Sequence, residues 1–135
     1  MSLKEQIQKA NDLPREKISV PEWGCDVWIQ GITSSADVDY EQSLLTKIGA
    51  GAEMTLEVNL ANAKAKLVCR CMVDEDGVPI FESDEEGESI LGGKSALVLN
   101  RLYEVALRLN AKTEADMEEL VKNSETTQGE DSAVV

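Results

Sequence analysis

Four groups of residues have types and spacing that could do chemistry. Asp74-Glu75-Asp76-Gly77 begins like a calcium-binding loop. A loop opening at Asp74, however, puts Val78 where an oxygen ligand belongs and Pro79 where the sharp-turn glycine belongs, so the alternating oxygens are not supplied. A solvated turn that ends a helix fits the segment better. Gly92-Gly93-Lys94-Ser95 resembles the close of a phosphate-binding loop, yet the pattern requires glycine five residues before Gly93 and position 88 is Glu. The neighbouring Glu82, Asp84, Glu85, Glu86 and Glu88 would also repel a triphosphate. A plain break before the next helix is the simpler reading.

Cys25, Cys69 and Cys71 are the thiols. Cys69 and Cys71 are two apart on an expected helix, so their side chains diverge by about 200° and cannot chelate one ion together. The chain contains no histidine, which removes the commonest zinc ligand and general base, and with them the usual activator of a nucleophilic cysteine. Cys69 and Cys71 read as small hydrophobes in a reduced core. From Asp74 to Glu88 the chain carries eight carboxylates and no base. Paired carboxylates can hydrolyse glycosides, but one Phe and two Tyr supply little sugar platform, so a solvated acidic loop is expected, with docking of a basic partner as the functional alternative. No catalytic, cofactor-binding or metal-binding residue is assigned. Trp23 and Trp28 are the candidate partner-binding residues: large aromatics on a small sheet either fill its core or anchor an interface.

The elements that must position these residues follow from periodicity. Residues 1–12 read as a short helix or arm with Leu3, Ile7 and Ala10 at i, i+4 and i+7. Pro14 ends it. Lys17-Ile18-Ser19-Val20 and Asp26 to Ile32 flank Pro21-Glu22-Trp23-Gly24 as a β-hairpin. Thr33 to Asp37 suits a helix start, with the helix expected over 35–47 and a flexible break at 48–52. A helix is expected over 54–73, an acidic loop at 82–88, and the clearest helix over 95–109, where Val98, Leu99, Leu102, Val105, Ala106 and Leu109 share one face and Glu104 can pair with Arg108. Thr113 caps a last helix running to about Lys122, and 123–135 reads as a disordered acidic tail. The domain organisation is therefore an arm at 1–12, one α+β domain at 13–122 with a small N-terminal hairpin packed against a mainly helical bundle, and the tail. Arm and tail are both candidates to order on a partner.

Composition bounds the partners. The 135 residues include 13 Lys+Arg and 26 Asp+Glu, a formal charge of −13. That balance disfavours nucleic acid and anionic membrane as partners. No run of apolar residues is long enough to span a bilayer and no secretory leader is visible, so a reducing cytosolic setting is expected.

The order of motifs points further. Leu13-Pro14-Arg15-Glu16-Lys17-Ile18-Ser19-Val20-Pro21-Glu22-Trp23-Gly24 precedes Val27-Trp28-Ile29. Ala65-Lys66-Leu67-Val68 leads through Val73-Asp74-Glu75-Asp76-Gly77 to Ile80-Phe81. Then come Lys94-Ser95-Ala96-Leu97, Asn100-Arg101-Leu102-Tyr103, Ala106-Leu107-Arg108-Leu109-Asn110 and Glu118-Glu119-Leu120-Val121-Lys122-Asn123. Over residues 13–123 this arrangement resembles the tail assembly chaperones, or tail components, of long-tailed bacteriophages and prophages. The resemblance implies a small non-catalytic α+β protein acting in the host bacterial cytoplasm and absent from the mature virion. It would bind the tape measure protein and keep that long helical chain soluble until tube subunits polymerise around it. In such a family a longer frameshifted form recruits the major tail tube protein. The resemblance transfers no site residue. Broad apolar stripes leave surface to share with a client or with further copies of the chain. The rival of a different class is a structural minor tail or head–tail joining protein of the virion.

Overall fold

A computed structural model describes residues 2–113 together with Ala115, Asp116 and Glu119. Helix α1 (Leu3–Lys9) is capped by Ser2, whose Oγ accepts the Glu5 N–H, and it buries none of its residues. Strands β1 (Arg15–Val20) and β2 (Cys25–Gln30) form the expected antiparallel hairpin, joined by a 3-10 turn at Pro21–Trp23. Alternation sends Ile18, Val27 and Ile29 to the helical side and Lys17 and Trp28, which are cross-strand partners, to the other. A short strand β5 (Met72–Val73) joins β2, giving the antiparallel order β1-β2-β5.

Helix α2 (Ser34–Ser43) begins where expected, with Thr33 Oγ1 accepting the Ala36 N–H at 3.2 Å. It does not run to Lys47. Residues Leu45–Ile48 form β3, paired with β4 (Thr55–Val58) in a second hairpin. The break expected at 48–52 is its turn: Gly49 adopts φ +89°, and a Cβ there would lie 2.8 Å from the Glu53 carbonyl oxygen. The helix expected over 54–73 is correspondingly shorter. It starts only after Asn62, which has positive φ, as α3 (Ala63–Cys71), and it ends in β5. Alanines at 61, 63 and 65 suggest a longer helix, but Thr55 and Val58 are β-branched and pair across the ribbon.

The acidic segment is corrected as well. Residues 74–83 stay irregular and mostly exposed, but from Asp84 the segment is helix α4 (Asp84–Gly92) rather than loop. Ser83 Oγ accepts the Glu86 N–H at 3.1 Å and Glu86 Oε2 accepts the Glu82 N–H at 3.2 Å, a reciprocal cap, while Asp84, Glu85 and Glu86 sit at the favourable positive end of the helix dipole. Close packing depends on Gly87, whose added Cβ would sit 2.6 Å from Cys69 Cβ and 2.9 Å from Phe81. Helix α5 (Ala96–Leu109) matches expectation, with Val98, Leu99, Leu102 and Ala106 buried and Val105 and Leu109 partly so. Arg108, however, pairs with Glu16 at 2.7 Å rather than with Glu104. The Thr113 cap is present, its Oγ1 accepting the Asp116 N–H at 3.1 Å. The tail at 123–135 and most of the helix expected to reach Lys122 lie outside the described residues.

Helix α3 is the centre of the molecule, packing on α2, α4, α5 and β2. Its buried Leu67, Val68 and Cys71 meet Ile29, Tyr40, Leu44, Leu91 and Leu102 in one core. The fold is α+β, a small sheet against a helical bundle.

Candidate interaction surfaces

The two tryptophans are not equivalent. Trp23 lies in the 3-10 turn, partly buried and packed against the core. Trp28 stands on the outer face of the sheet, half-buried, with the Arg15 guanidinium 5.6 Å and the Lys17 ammonium 5.9 Å from its ring centroid. Both distances suit cation–π attraction. The hairpin thus separates the two rings, one inward and one outward.

The residues considered for chemistry settle into structural roles. Asp74 Oδ1 accepts the N–H groups of Asp76 and Val78 at 2.8 and 3.0 Å, so this carboxylate holds its own turn. Cys69 and Cys71 are buried, and burial pushes both thiols up to about 12, which keeps them protonated at neutral pH. Among the described residues no group of three His, Cys, Asp or Glu is arranged to hold a metal ion. No helix among them is long and apolar enough to cross a membrane.

Charge is instead used to tie elements together. The Arg70 side chain is only 6% exposed and reaches Asp39, Asp84 and Glu88 at 3.1, 3.6 and 3.3 Å, linking α3 to α2 and α4. Burial alone would lower its pKa, but the hydrogen bonds it donates to Asp39 and Glu88 and the charge of Asp84 prevail, and the net shift is upward. Arg101 grips Glu22 with two hydrogen bonds of 3.0 and 2.7 Å, binding α5 to the first hairpin's turn. Lys112 reaches Asp37 and Glu41 at 2.9 and 3.5 Å.

An open apolar cleft, about 340 Å³ in volume, lies between α3 and α5 beside the end of α4. Leu60, Ala63, Ala65, Leu99 and Tyr103 line it, and Lys64 and Lys94 stand at its rim. The sequence marks Lys94 in an incomplete phosphate loop and in the string that carries the family resemblance, and Lys64 not at all. The available signal is the breadth of the apolar stripes on these two helices. A second pocket, of about 550 Å³, lies beside Arg70 and is walled by Phe81, Pro79, Glu82 and Glu85.

The features that stand out among the described residues are surfaces: an outward-facing tryptophan and an open apolar cleft. The chain belongs to the phage tail assembly chaperone family, whose model matches residues 2–123. Among solved structures, the tail assembly chaperone of bacteriophage HK97 superimposes with a TM-score of 0.51 at 24% identity, covering 78% of this chain and 91% of that one. That likeness bears on the fold. No curated protein matches.

Proposed function

We propose that this phage tail assembly chaperone binds the tape measure protein during tail morphogenesis and keeps it soluble, without catalysis. The observation that carries this reading is the family match across residues 2–123. The physics agrees with it. A protein that holds a sticky helical client needs accessible apolar surface and enough charge to keep the complex in solution. Exposed Leu60, Ile90 and Leu97 provide the first, and a formal charge of −13 provides the second. A non-catalytic role accords with the absent histidine and the protonated buried thiols. The site of action is the host cytoplasm, and the protein leaves before the virion matures. A longer frameshifted form would bring in the major tail tube protein. Residues 13–122 act as the body, with the 1–12 arm and the 123–135 tail available to partners. Trp28 is the better placed of the two tryptophans for partner contact, because its ring faces away from the core.

Co-expression with the tape measure protein tests the reading. The expected result is a soluble complex that co-purifies, and purified particles that lack this chain. A client that stays insoluble and unbound ends the proposal; stoichiometric presence in particles favours a structural tail or head–tail joining role.

A further inference from the structure

The cleft between α3 and α5 combines three features. Its floor is apolar, from Ala63, Ala65, Leu99 and the Tyr103 ring, and Leu60 on its wall is 47% exposed. It is open at the α4 end, where a Cβ added at Gly92 would have only Asn62 Oδ1 near it, at 3.7 Å. And its rim is basic. The Lys64 ammonium stands 5.6 Å from the Tyr103 ring centroid and donates to Asn100 Oδ1 at 2.5 Å, so it is held at the edge of the cleft.

The charge pattern gives the rim its meaning. Acids outnumber bases 26 to 13, and the bases that join elements, Arg70, Arg101, Arg108 and Lys112, are all matched to carboxylates. Neither Lys64 nor Lys94 forms an ion pair among the described residues. Lys4, Lys9, Arg15, Lys17, Lys47 and Lys66 likewise form none, so what sets Lys64 and Lys94 apart is their place on an apolar cleft, where they match a ligand that brings its own carboxylates.

We infer that this cleft is the face that holds the client, and that it takes an amphipathic helix with aliphatic side chains at i and i+4 in the cleft and flanking carboxylates on Lys64 and Lys94. Two antiparallel or crossing helices leave between them the kind of groove that such a helix fills, and side chains one turn apart, roughly 6 Å between Cβ atoms, suit a cleft of this size. The inference rests on the client-holding reading above and adds to it a location and a chemistry.

The full chain is co-expressed with the tape measure protein in five forms: unaltered, Lys64→Glu with Lys94→Glu, Lys64→Arg with Lys94→Arg, Gly92→Phe, and Lys47→Glu as a single charge reversal on the exposed β3 strand. Circular dichroism and thermal melting of each purified form confirm that it folds. The double reversal and the plugged cleft are each expected to lower client recovery about tenfold, as loss of a central anchor does, while Lys47→Glu recovers it fully. Lys64→Arg with Lys94→Arg restores recovery. If the folded double variant and Gly92→Phe hold the client as well as the unaltered chain does, the client sits elsewhere and only the holding role survives. If the unaltered chain does not hold the client, both readings fall. Should Gly92→Phe not fold, the double reversal decides alone, since Lys94 lies at the surface. Client recovery by the unaltered chain that is insensitive to added salt would overturn the carboxylate pairing.

Discussion

The molecule contains two β-hairpins built with the same local grammar and supported very differently. The first, β1–β2, has six-residue strands, a third strand at its edge and two helices behind it. Ile29 is fully buried there, and Arg101–Glu22, Arg108–Glu16 and the Asn110 Oδ1 bond to the Ile32 N–H (2.8 Å) fasten the hairpin to α5 and its end. The second, β3–β4, has four-residue strands and rests mainly on α2, with Val58 the ribbon residue that reaches the core. Leu45, Ile48 and Leu56 stay exposed. Isolated two-stranded ribbons are marginal in water. Hairpin chemistry alone therefore does not make a stable sheet here; burial against helices does. The first hairpin is part of the folding unit, and the second is surface presented to the surroundings.

The sharpest way to break this contrast is a matched pair of truncations. Ile29→Ala should destabilise the chain by about 3–4 kcal/mol, the range for emptying a fully buried aliphatic site. Leu56→Ala, on the exposed ribbon, should cost no more than about 0.5 kcal/mol. Urea titration of the two variants checks it, and equal losses would show that the ribbon belongs to the cooperative core. Next in size is Asn110→Ala. Besides capping Ile32, Asn110 donates to the Ala106 carbonyl at 2.8 Å and to Cys71 Sγ at 3.4 Å, so its removal strands the Ile32 N–H and should cost about 1–3 kcal/mol. Trp28→Ala, on the outer face, should cost about 1–2 kcal/mol, for a half-buried ring that also loses its cationic neighbours. A loss above about 4 kcal/mol would assign Trp28 to the core instead.

The same contrast explains what the sequence disclosed. The first hairpin was legible because Pro21 and Gly24 mark its turn and Ile18, Val27 and Ile29 alternate against a buried face. Helix α5 was legible because its wide stripe matches a helical period and is used in full. The ribbon was hidden. Its strands are four residues long, Lys47 and Glu57 interrupt their apolar pattern, and the alanines that follow extend a helical signal backward across Thr55 and Val58. Helix α4 was hidden for another reason: its acids look like a solvated run until Ser83 caps them and Gly87 and Leu91 turn inward. The cleft was half visible. Its floor follows from stripe width, but the pairing of Lys64 with Lys94 at one rim depends on how α3 meets the start of α5, which no local pattern encodes.

Gly49→Ala sharpens the comparison locally. Its Cβ would press on the Glu53 carbonyl oxygen, and its φ of +89° is costly for any L side chain. The ribbon should lose amide-exchange protection while the melting temperature of the whole chain moves by no more than about 2 °C, since the ribbon adds little to global stability. A large drop in melting temperature would contradict the independence of the two hairpins.

The smallest effect concerns how the first hairpin is fastened. The hydrogen bonds from Arg101 hold Glu22 down from 4.5 to about 2. A carboxyl whose pKa is lowered on folding stabilises the native state above its unfolded value and loses that contribution as pH falls through the folded one. The pair should therefore help fully above about pH 5 and fade between about pH 4.5 and 2. Both partners are open to solvent, so screening keeps the effect small and added salt shrinks it further. Glu22→Gln should remove that part of the acid dependence and leave the rest of the pH profile in place, as measured by urea titrations of both forms at matched pH. If the two profiles stay parallel down to pH 2, the turn is held by Trp23 packing and the backbone bond from the Gly24 N–H to the Pro21 carbonyl, and the arginine clasp contributes nothing to the first hairpin's advantage over the second.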